Sequence, residues 1–312
     1  MNGRVIHVAA FAMLCAIWGS TWLAIKVGLE GAPPFLSAAL RFVIASLILS
    51  AAAFLLRRAL PRNRGEWTLI VFVGLVLFTA DYGLIYWGEN NGVESGLSAI
   101  LFATMPLQTA LFAQALLRGE RLTVPKVAGI LIGFGGILVI FRGQLTTAGP
   151  EKFFPMLAIV LSATCAAVST VAIKRWGHDL DPVAFNAGAM GVGAVSLAAV
   201  SLVAGEPWAV PSWPAGLGAI LYLALLGSVI AFVVYLRLLK TFEATAMSYV
   251  ALITPIVAVF LGFSLGNEIL DPIALAGAAV TLAGIYISTS KRASALLRPR
   301  TAGVPVNPPN GK

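Results

Sequence analysis

Ten separate stretches of this chain are long and apolar enough to cross a lipid bilayer, which removes most folds from consideration. A helix needs about 20 mostly apolar residues to span the hydrocarbon core. Lipid offers no hydrogen bonds to the backbone, so a spanning segment must satisfy its own amides, as a helix does. The stretches run approximately over 6–26, 35–56, 67–88, 94–117, 124–141, 153–173, 183–204, 213–236, 244–265 and 271–290. The connections between them are short. The chain is 59% hydrophobic and 11% charged, whereas soluble domains carry about 25% charged residues. Mean hydropathy is +0.92. The 31 glycines suit close helix approach in a bilayer. An all-α integral membrane protein is expected.

The first apolar run is too long for a signal-peptide core and lacks a clean small-residue cleavage site, so it reads as a retained helix. Ala12-Met13-Leu14 before Cys15 does not fit a lipoprotein signal. Cys15 and Cys165 both lie in apolar runs and read as packing residues rather than a disulfide.

Lysine and arginine set the orientation. With the N-terminus in the cytoplasm, seventeen of the 21 basic residues fall in cytoplasmic segments. They include Arg4, Arg57, Arg58, Arg118, Lys126, Lys174, Arg175, Arg237 and Lys291. Only Lys26, Arg142 and Lys152 fall outside, and Arg41 lies within a span. The alternation supports ten spans with both termini cytoplasmic. It also accounts for the net charge of +8 without nucleic acid.

The second half echoes the first at a spacing of 148–149 residues. Ala24-Ile25-Lys26 returns as Ala172-Ile173-Lys174, Pro34 as Pro182, Tyr86 as Tyr235, Glu94 as Glu243 and Pro106 as Pro255. Gly119-Glu120 meets Asn267-Glu268, and Gly136-Ile137 meets Gly284-Ile285. Ordered matches along the whole chain indicate duplication. Five spans per copy is an odd number, so the second copy must be upside down. The expected organisation is a first repeat over 1–145, an inverted second repeat over 146–290, and a basic, disordered tail over 291–312. Inverted repeats recur in secondary transporters, where two pseudo-equivalent halves can expose one central site to either side in turn.

The residues in order resemble the drug/metabolite transporter superfamily, in particular its ten-helix EamA-type branch. The resemblance rests on Trp18-Gly19-Ser20-Thr21, Lys26, Pro34, Arg41, Tyr82 to Tyr86, Ser95-Gly96-Leu97-Ser98-Ala99, Pro106, Gly119-Glu120-Arg121-Leu122 and the glycines 129, 133 and 136. It covers roughly residues 8 to 290. The second half departs from it, with Ala166-Ala167-Val168-Ser169 in place of the Trp-Gly-Ser-Thr run and Asn267 before Glu268. The resemblance implies a central cavity and ATP-independent export of a small metabolite across the inner membrane, an amino acid or a related compound. Other metabolites or toxic cations are the alternative cargo.

Charges inside a bilayer are costly and mark function or pairing. Arg41 and Asp81 each lie about six residues from the outer ends of their spans, roughly 9 Å deep at 1.5 Å per residue. They can pair with each other, or one can meet substrate: Arg41 a carboxylate, Asp81 an amine or a proton. Trp18 near mid-span is a candidate cavity wall, with Tyr82 beside it. Trp22, Tyr86 and Trp87 read as an interfacial aromatic belt. Pro106 and Pro255 are candidate paired hinges, because proline frees the carbonyl four residues earlier. Thr104, Gln108 and Thr254 flank those kinks, and Asn186 is a further polar residue in a span. Each can line a cavity or bond between helices. Glu120 and Glu268 read as solvated or capping. Gly129, Gly133 and Gly136 read as a helix-packing stripe.

No Walker A motif is present, no His/Cys cluster has metal-ligand spacing, and no catalytic set falls in a span. No cofactor, no metal and no enzymatic activity are expected. The expected partners are a small molecule, the lipid bilayer and a proton as candidate coupling ion, in a protein for which a monomer suffices.

Overall fold

The computed structural model describes residues 3–140, 142, 150–213, 215–257 and 272–289. Among these residues the chain is all-helical, with seven helices long and apolar enough to cross a membrane and three shorter apolar ones. The long ones are α1 (Gly3–Leu29), α2 (Pro34–Leu55), α3 (Arg64–Asn90), α4 (Ser95–Leu116), α6 (Phe153–Trp176), α7 (Pro182–Val203) and α8 (Gly216–Thr241). The shorter ones are α5 (Val124–Ile140), α9 (Ala244–Val257) and α10 (Pro272–Thr289). Each of the ten expected spans therefore has a helix. The expected end of the ninth span, Glu268 and the basic tail lie outside the described residues.

Local chemistry sets the helix starts. Pro34 and Pro182 open α2 and α7, where a missing N–H costs nothing. Asp181 caps α7, its Oδ1 accepting from the amides of Val183 at 2.9 Å and Ala184 at 3.1 Å. α3 begins three residues before the expected position because Asn63 and Glu66 form a reciprocal cap. Asn63 accepts from the Glu66 amide at 3.0 Å, while Glu66 accepts from the Arg62 amide at 2.6 Å.

Two helices depart from the α form in mid-span. α3 is π-helical over Gly74–Asp81, and α8 over Leu223–Ile230. The widened turns start 149 residues apart. A hydroxyl stabilises each: Thr79 donates to the Gly74 carbonyl at 2.9 Å, and Ser228 to the Leu223 carbonyl at 3.0 Å. Both reach back five residues, matching the i→i+5 spacing of a π turn.

The helices associate through small residues. The glycine stripe of α5 docks on α10: a Cβ on Gly129 would lie 2.5 Å from the Gly284 carbonyl oxygen, and one on Gly136 would lie 2.5 Å from that of Gly277. Thr281 donates across this seam to the Gly133 carbonyl at 3.1 Å. The packing reading of the stripe holds, because only glycine lets backbones approach this closely. Elsewhere α2 packs on α7, the π segment of α3 packs against α6 and α7, and that of α8 packs against α1 and α2. Cys15 and Cys165 are free thiols among the packed helices, as expected.

Polar links place the loops at two ends. At one end, Lys126 meets Glu243 at 3.0 Å, Arg175 donates to the Leu116 carbonyl, and Lys240 donates to the Leu180 carbonyl at 2.7 Å. This end carries the arginine-rich loops and is called the basic face. At the opposite face, Glu206 accepts from the amides of Phe35 at 3.0 Å and Leu36 at 2.8 Å, and the Ser212 amide donates to the Gly31 carbonyl at 3.1 Å.

Glu120 is buried and caps a helix, but not its own. Its carboxylate accepts from the Ala244 amide at 2.7 Å, the Thr245 amide at 3.2 Å and the Thr245 hydroxyl at 3.2 Å. It thus closes the N-terminus of α9 from the other half of the chain, where the helix dipole favours an anion. Glu120→Ala is expected to destabilise the fold by about 2 kcal/mol, the scale of hydrogen bonds to a buried charged group. Thermal unfolding in detergent micelles checks this, and an unchanged midpoint would show the cap to be idle.

Candidate functional site

A cavity lies at the centre of the bundle. It encloses about 80 Å³ open to a water-sized molecule, room for several waters. Trp18, Thr21 and Trp22 from α1, Asp81 and Tyr82 from α3, Thr170 from α6, Phe232 and Tyr235 from α8, and Thr254 from α9 form its principal wall. Both halves of the chain contribute. Among the described residues, Asp81 is the only acidic or basic side chain in this wall, and the rest is aromatic, apolar or hydroxylated.

The Trp-Gly-Ser-Thr run builds one side, with one task per residue. Trp18 donates its indole N–H to the Gly227 carbonyl at 3.2 Å and faces the cavity. Gly19 lets α1 cross α9: a Cβ there would lie 2.7 Å from Val257 and 3.1 Å from the Thr254 carbonyl oxygen. The Ser20 hydroxyl bonds the Tyr222 hydroxyl at 2.6 Å. Thr21 faces the cavity and donates to the Trp18 carbonyl at 2.7 Å. The second half keeps more of this run than the sequence comparison suggested. Thr170, 149 residues after Thr21, also lines the cavity and bonds the Tyr235 hydroxyl at 2.8 Å. The Ser-Thr pair recurs as Ser169-Thr170, one residue beyond the register first compared.

Trp18, Phe42, Phe78, Tyr82, Phe232 and Tyr235 form one connected cluster, and Trp22 pairs separately with Phe102. Trp18 meets Phe232 at 5.3 Å and Tyr235 at 5.2 Å, and Phe232 meets Phe78 at 5.0 Å. Phe42 bridges Phe78 at 5.1 Å and Tyr82 at 5.0 Å. Such edge-to-face pairs hold rings in fixed orientations. The belt reading of Trp22 and Tyr86 is overturned. Trp22 is 7% exposed and lines the cavity, and Tyr86 is fully buried. Both lie toward the outer ends of their spans, but their helices turn them inward, where rings cover more apolar surface than at an interface. Trp87 is half-buried.

Arg41 and Asp81 do not form the ion pair that their shared depth allowed. Equal depth fixes height, not direction. Arg41 is fully buried and turns to α8, donating from Nε to the Ser228 hydroxyl at 2.8 Å and from Nη2 to the Gly227 carbonyl at 3.4 Å. Its guanidinium lies 4.6 Å from the Tyr82 ring centre, a cation–π distance. Arg41 therefore stands behind the wall and holds Tyr82 and the α8 π turn. Asp81 closes the other π turn. It is 2% exposed, and its Oδ1 has no hydrogen-bond partner among the described residues. Buried carboxylate oxygens need partners, and the hydroxyl that faces Asp81 is that of Ser162 on α6.

The remaining candidates divide. Thr254 lines the cavity and bonds the Ala251 carbonyl at 3.5 Å, the carbonyl that Pro255 frees. Thr104 and Gln108 are not in the wall; Gln108 donates to Thr104 at 3.0 Å within α4. Asn186 is buried away from the wall. α4 breaks at Ala103–Thr104, and Pro106 sits in the first turn after the break rather than within a continuous helix. The residue before a proline resists the α conformation, which favours a break just ahead of it. α9 turns at Tyr249, six residues ahead of Pro255, so the two prolines do not sit at equivalent breaks. Among the described residues there is no His/Cys/Asp/Glu cluster suited to a metal.

The EamA-like transporter family matches residues 6–142 and again 153–290. The chain belongs to the EamA-like transporter family. Its relatives include the uncharacterized inner membrane transporter YedA of Escherichia coli K12, 33% identical over 288 residues that span 91% of this chain and 90% of that protein. The uncharacterized transporter YoaV of Bacillus subtilis is 28% identical over 276 residues, 88% of this chain and 93% of its own. One solved crystal structure shares the fold, with a TM-score of 0.76 and 21% identity over 92% of this chain and 98% of that one. This EamA-family chain is a multi-pass membrane protein of a transporter family, as its helices and both halves of its sequence indicate.

Proposed function

We propose that this chain is a secondary transporter of the inner membrane that exports an amine-bearing small metabolite, an amino acid or a related compound, by alternating access. The observation that carries the cargo is the central wall, where one carboxylate, Asp81, stands among aromatic rings. Asp81 is the group for the ammonium of the substrate. Trp18, Tyr82, Phe232 and Tyr235 supply faces for its apolar part and for cation–π contact. Thr21, Thr170 and Thr254 supply hydroxyls.

The architecture proposed is two inverted five-helix repeats, 1–145 and 146–290, with both termini in the cytoplasm. Support comes from the family matching the chain twice and from π segments beginning 149 residues apart. The end of α1 lies at the opposite face with Ser212, while its counterpart near Lys174 lies at the basic face. Inverted halves of this kind rock against each other around a central site. Pro106 and Pro255 are the proposed flexible points, although their breaks differ. The basic face is the cytoplasmic one by its Lys and Arg content. A relative bearing the name of inner membrane transporter supports the location. A proton is the proposed coupling ion, and a monomer is the proposed unit.

A second reading, export of organic cations, is favoured by a wall that holds no Lys or Arg among the described residues. Counterflow in proteoliposomes separates the two. Vesicles preloaded with a mixed amino-acid pool are expected to accumulate one labelled amino acid above protein-free vesicles. Accumulation only in vesicles preloaded with tetraphenylphosphonium, and only of that label, would replace the first reading by the second. No counterflow of any label would sink the carrier reading.

A further inference from the structure

The cavity uses Asp81 and leaves a second acid of the same helix unexplained. Glu89 lies eight residues on, about two turns further along α3. It is 9% exposed, and its carboxylate faces the Ser98 hydroxyl, although neither oxygen makes a hydrogen bond of ordinary geometry among the described residues. The groups around it are in the same condition. The hydroxyls of Tyr86, of Ser98 on α4 and of Ser37 on α2, with Asp81 Oδ1 and Arg41 Nη1, are buried without a hydrogen bond of ordinary geometry, although Ser37 and Arg41 face Tyr86 and Ser162 faces Asp81. Buried polar atoms are nearly always satisfied by protein or water. A run of unsatisfied ones from the cavity toward the opposite face marks a path that water or a proton completes.

The charged groups around Glu89 do not neutralise it. Lys26 of α1 faces it but is exposed and forms no ion pair with it. Arg41 of α2 donates from Nε and Nη2 to Ser228 and Gly227, while its buried Nη1 has no hydrogen-bond partner among the described residues and the guanidinium faces Tyr86 rather than pairing with Glu89. Glu94, just ahead of α4, is itself an acid. Lys152, ahead of α6, approaches the turn at Gly92. On its own helix stand Asp81, Tyr82 and Tyr86. A fixed carboxylate here would be a buried, unpaired charge, which costs several kcal/mol.

We propose that Glu89 is a proton-binding site that couples transport to a proton gradient. It exchanges a proton with water at the opposite face, near Lys26, and relays it along α3 to Asp81. The O–H bond at Glu89 breaks and leaves a carboxylate, intervening hydroxyls or waters each pass on one proton, and an O–H bond forms at Asp81. No charge is gained or lost by the helix as a whole. A neutral Asp81 no longer holds an ammonium group, so the arriving proton expels the substrate and the two ligands exchange one for one. This step rests on the amine-binding reading of Asp81; proton binding at Glu89 does not.

The test uses the full chain in proteoliposomes, as wild type, Glu89→Gln, Glu89→Asp and Asp81→Asn. Infrared spectra recorded between about pH 5 and 8, the range that matters physiologically, report the carbonyl stretch of protonated carboxyls. A band that titrates in the wild type, is lost in Glu89→Gln and survives in Glu89→Asp is expected. A band that does not titrate, or that persists unchanged in Glu89→Gln, overturns the site. For transport, a gradient of one pH unit supports about tenfold accumulation in one-for-one exchange. Glu89→Gln is expected to abolish that accumulation and to retain counterflow of the label identified for the wild type. Loss of counterflow as well would make Glu89 part of the substrate site and overturn coupling. Wild type without counterflow would sink the carrier reading alone, leaving the infrared result to decide Glu89.

Discussion

Asp81→Asn is expected to lower carrier-mediated flux about a hundredfold, because breaking a buried contact to a charged partner costs about 2–5 kcal/mol and 1.4 kcal/mol is a factor of ten. The side chain keeps its shape, so the π turn over Gly74–Asp81 is retained: its stabilising hydroxyl is Thr79, not Asp81. The amide places a neutral oxygen and an NH₂ where the cavity offers one carboxylate among rings. An ammonium-bearing substrate loses its counter-charge, whereas an uncharged one loses little. Labelled counterflow with each variant at matched protein content measures this. Asp81→Asn transporting at the wild-type rate, with an unchanged unfolding midpoint, would remove Asp81 from the binding site. Asp81→Glu separates the effects further, since it keeps the charge and tests only the reach.

The second large effect is on assembly. Gly136→Leu and Gly284→Leu are each expected to prevent stable docking of α5 on α10. Even one added carbon on Gly136 would lie 2.5 Å from the Gly277 carbonyl oxygen, and one on Gly284 would lie 2.5 Å from that of Gly129. The obstacle is backbone, which cannot step aside as a flexible side chain could. Alanine at either position is expected to cost about 1–3 kcal/mol by overpacking, and leucine to exceed that. Fluorescence-detected gel filtration after membrane extraction checks the outcome: aggregated leucine variants are expected, with alanine variants monodisperse but less heat-stable. Gly135 is the control, with nothing within 4 Å of an added Cβ. A Gly135→Ala protein as unstable as Gly136→Ala would mean that close approach is not what the stripe provides.

Much of this architecture is legible along the chain because a bilayer leaves few choices. Apolar length places a helix on each of the ten stretches, seven of them of spanning length among the described residues, and the repeat spacing pairs Pro34 with Pro182. Gly129, Gly133 and Gly136 could be assigned to packing because three- and four-residue spacings put them on one face. Trp18 and Asp81 could be picked out for their depth, Tyr82 as one of the aromatic set and Thr254 for its place beside Pro255, and all four line the cavity. Thr170 and Tyr235 carried a weaker signal, visible only through their repeat partners Thr21 and Tyr86.

What the linear sequence does not carry is direction. Arg41 and Asp81 stand at one depth, yet Arg41 turns to Ser228 and Gly227, 187 and 186 residues away. The π turns in α3 and α8 shift the faces that a uniform 3.6-residue period would assign, so contacts beyond them cannot be counted off. Trp22 and Tyr86 have belt-like positions, and only the bundle shows them facing inward. Glu120 and Glu206 carry no local motif because the helices they cap come from the other half of the chain. The sequence by itself determined the membrane and the helices, since lipid enforces these locally, residue by residue. The tertiary structure alone decided which polar groups meet, because that depends on helix rotation and crossing between segments far apart in the chain.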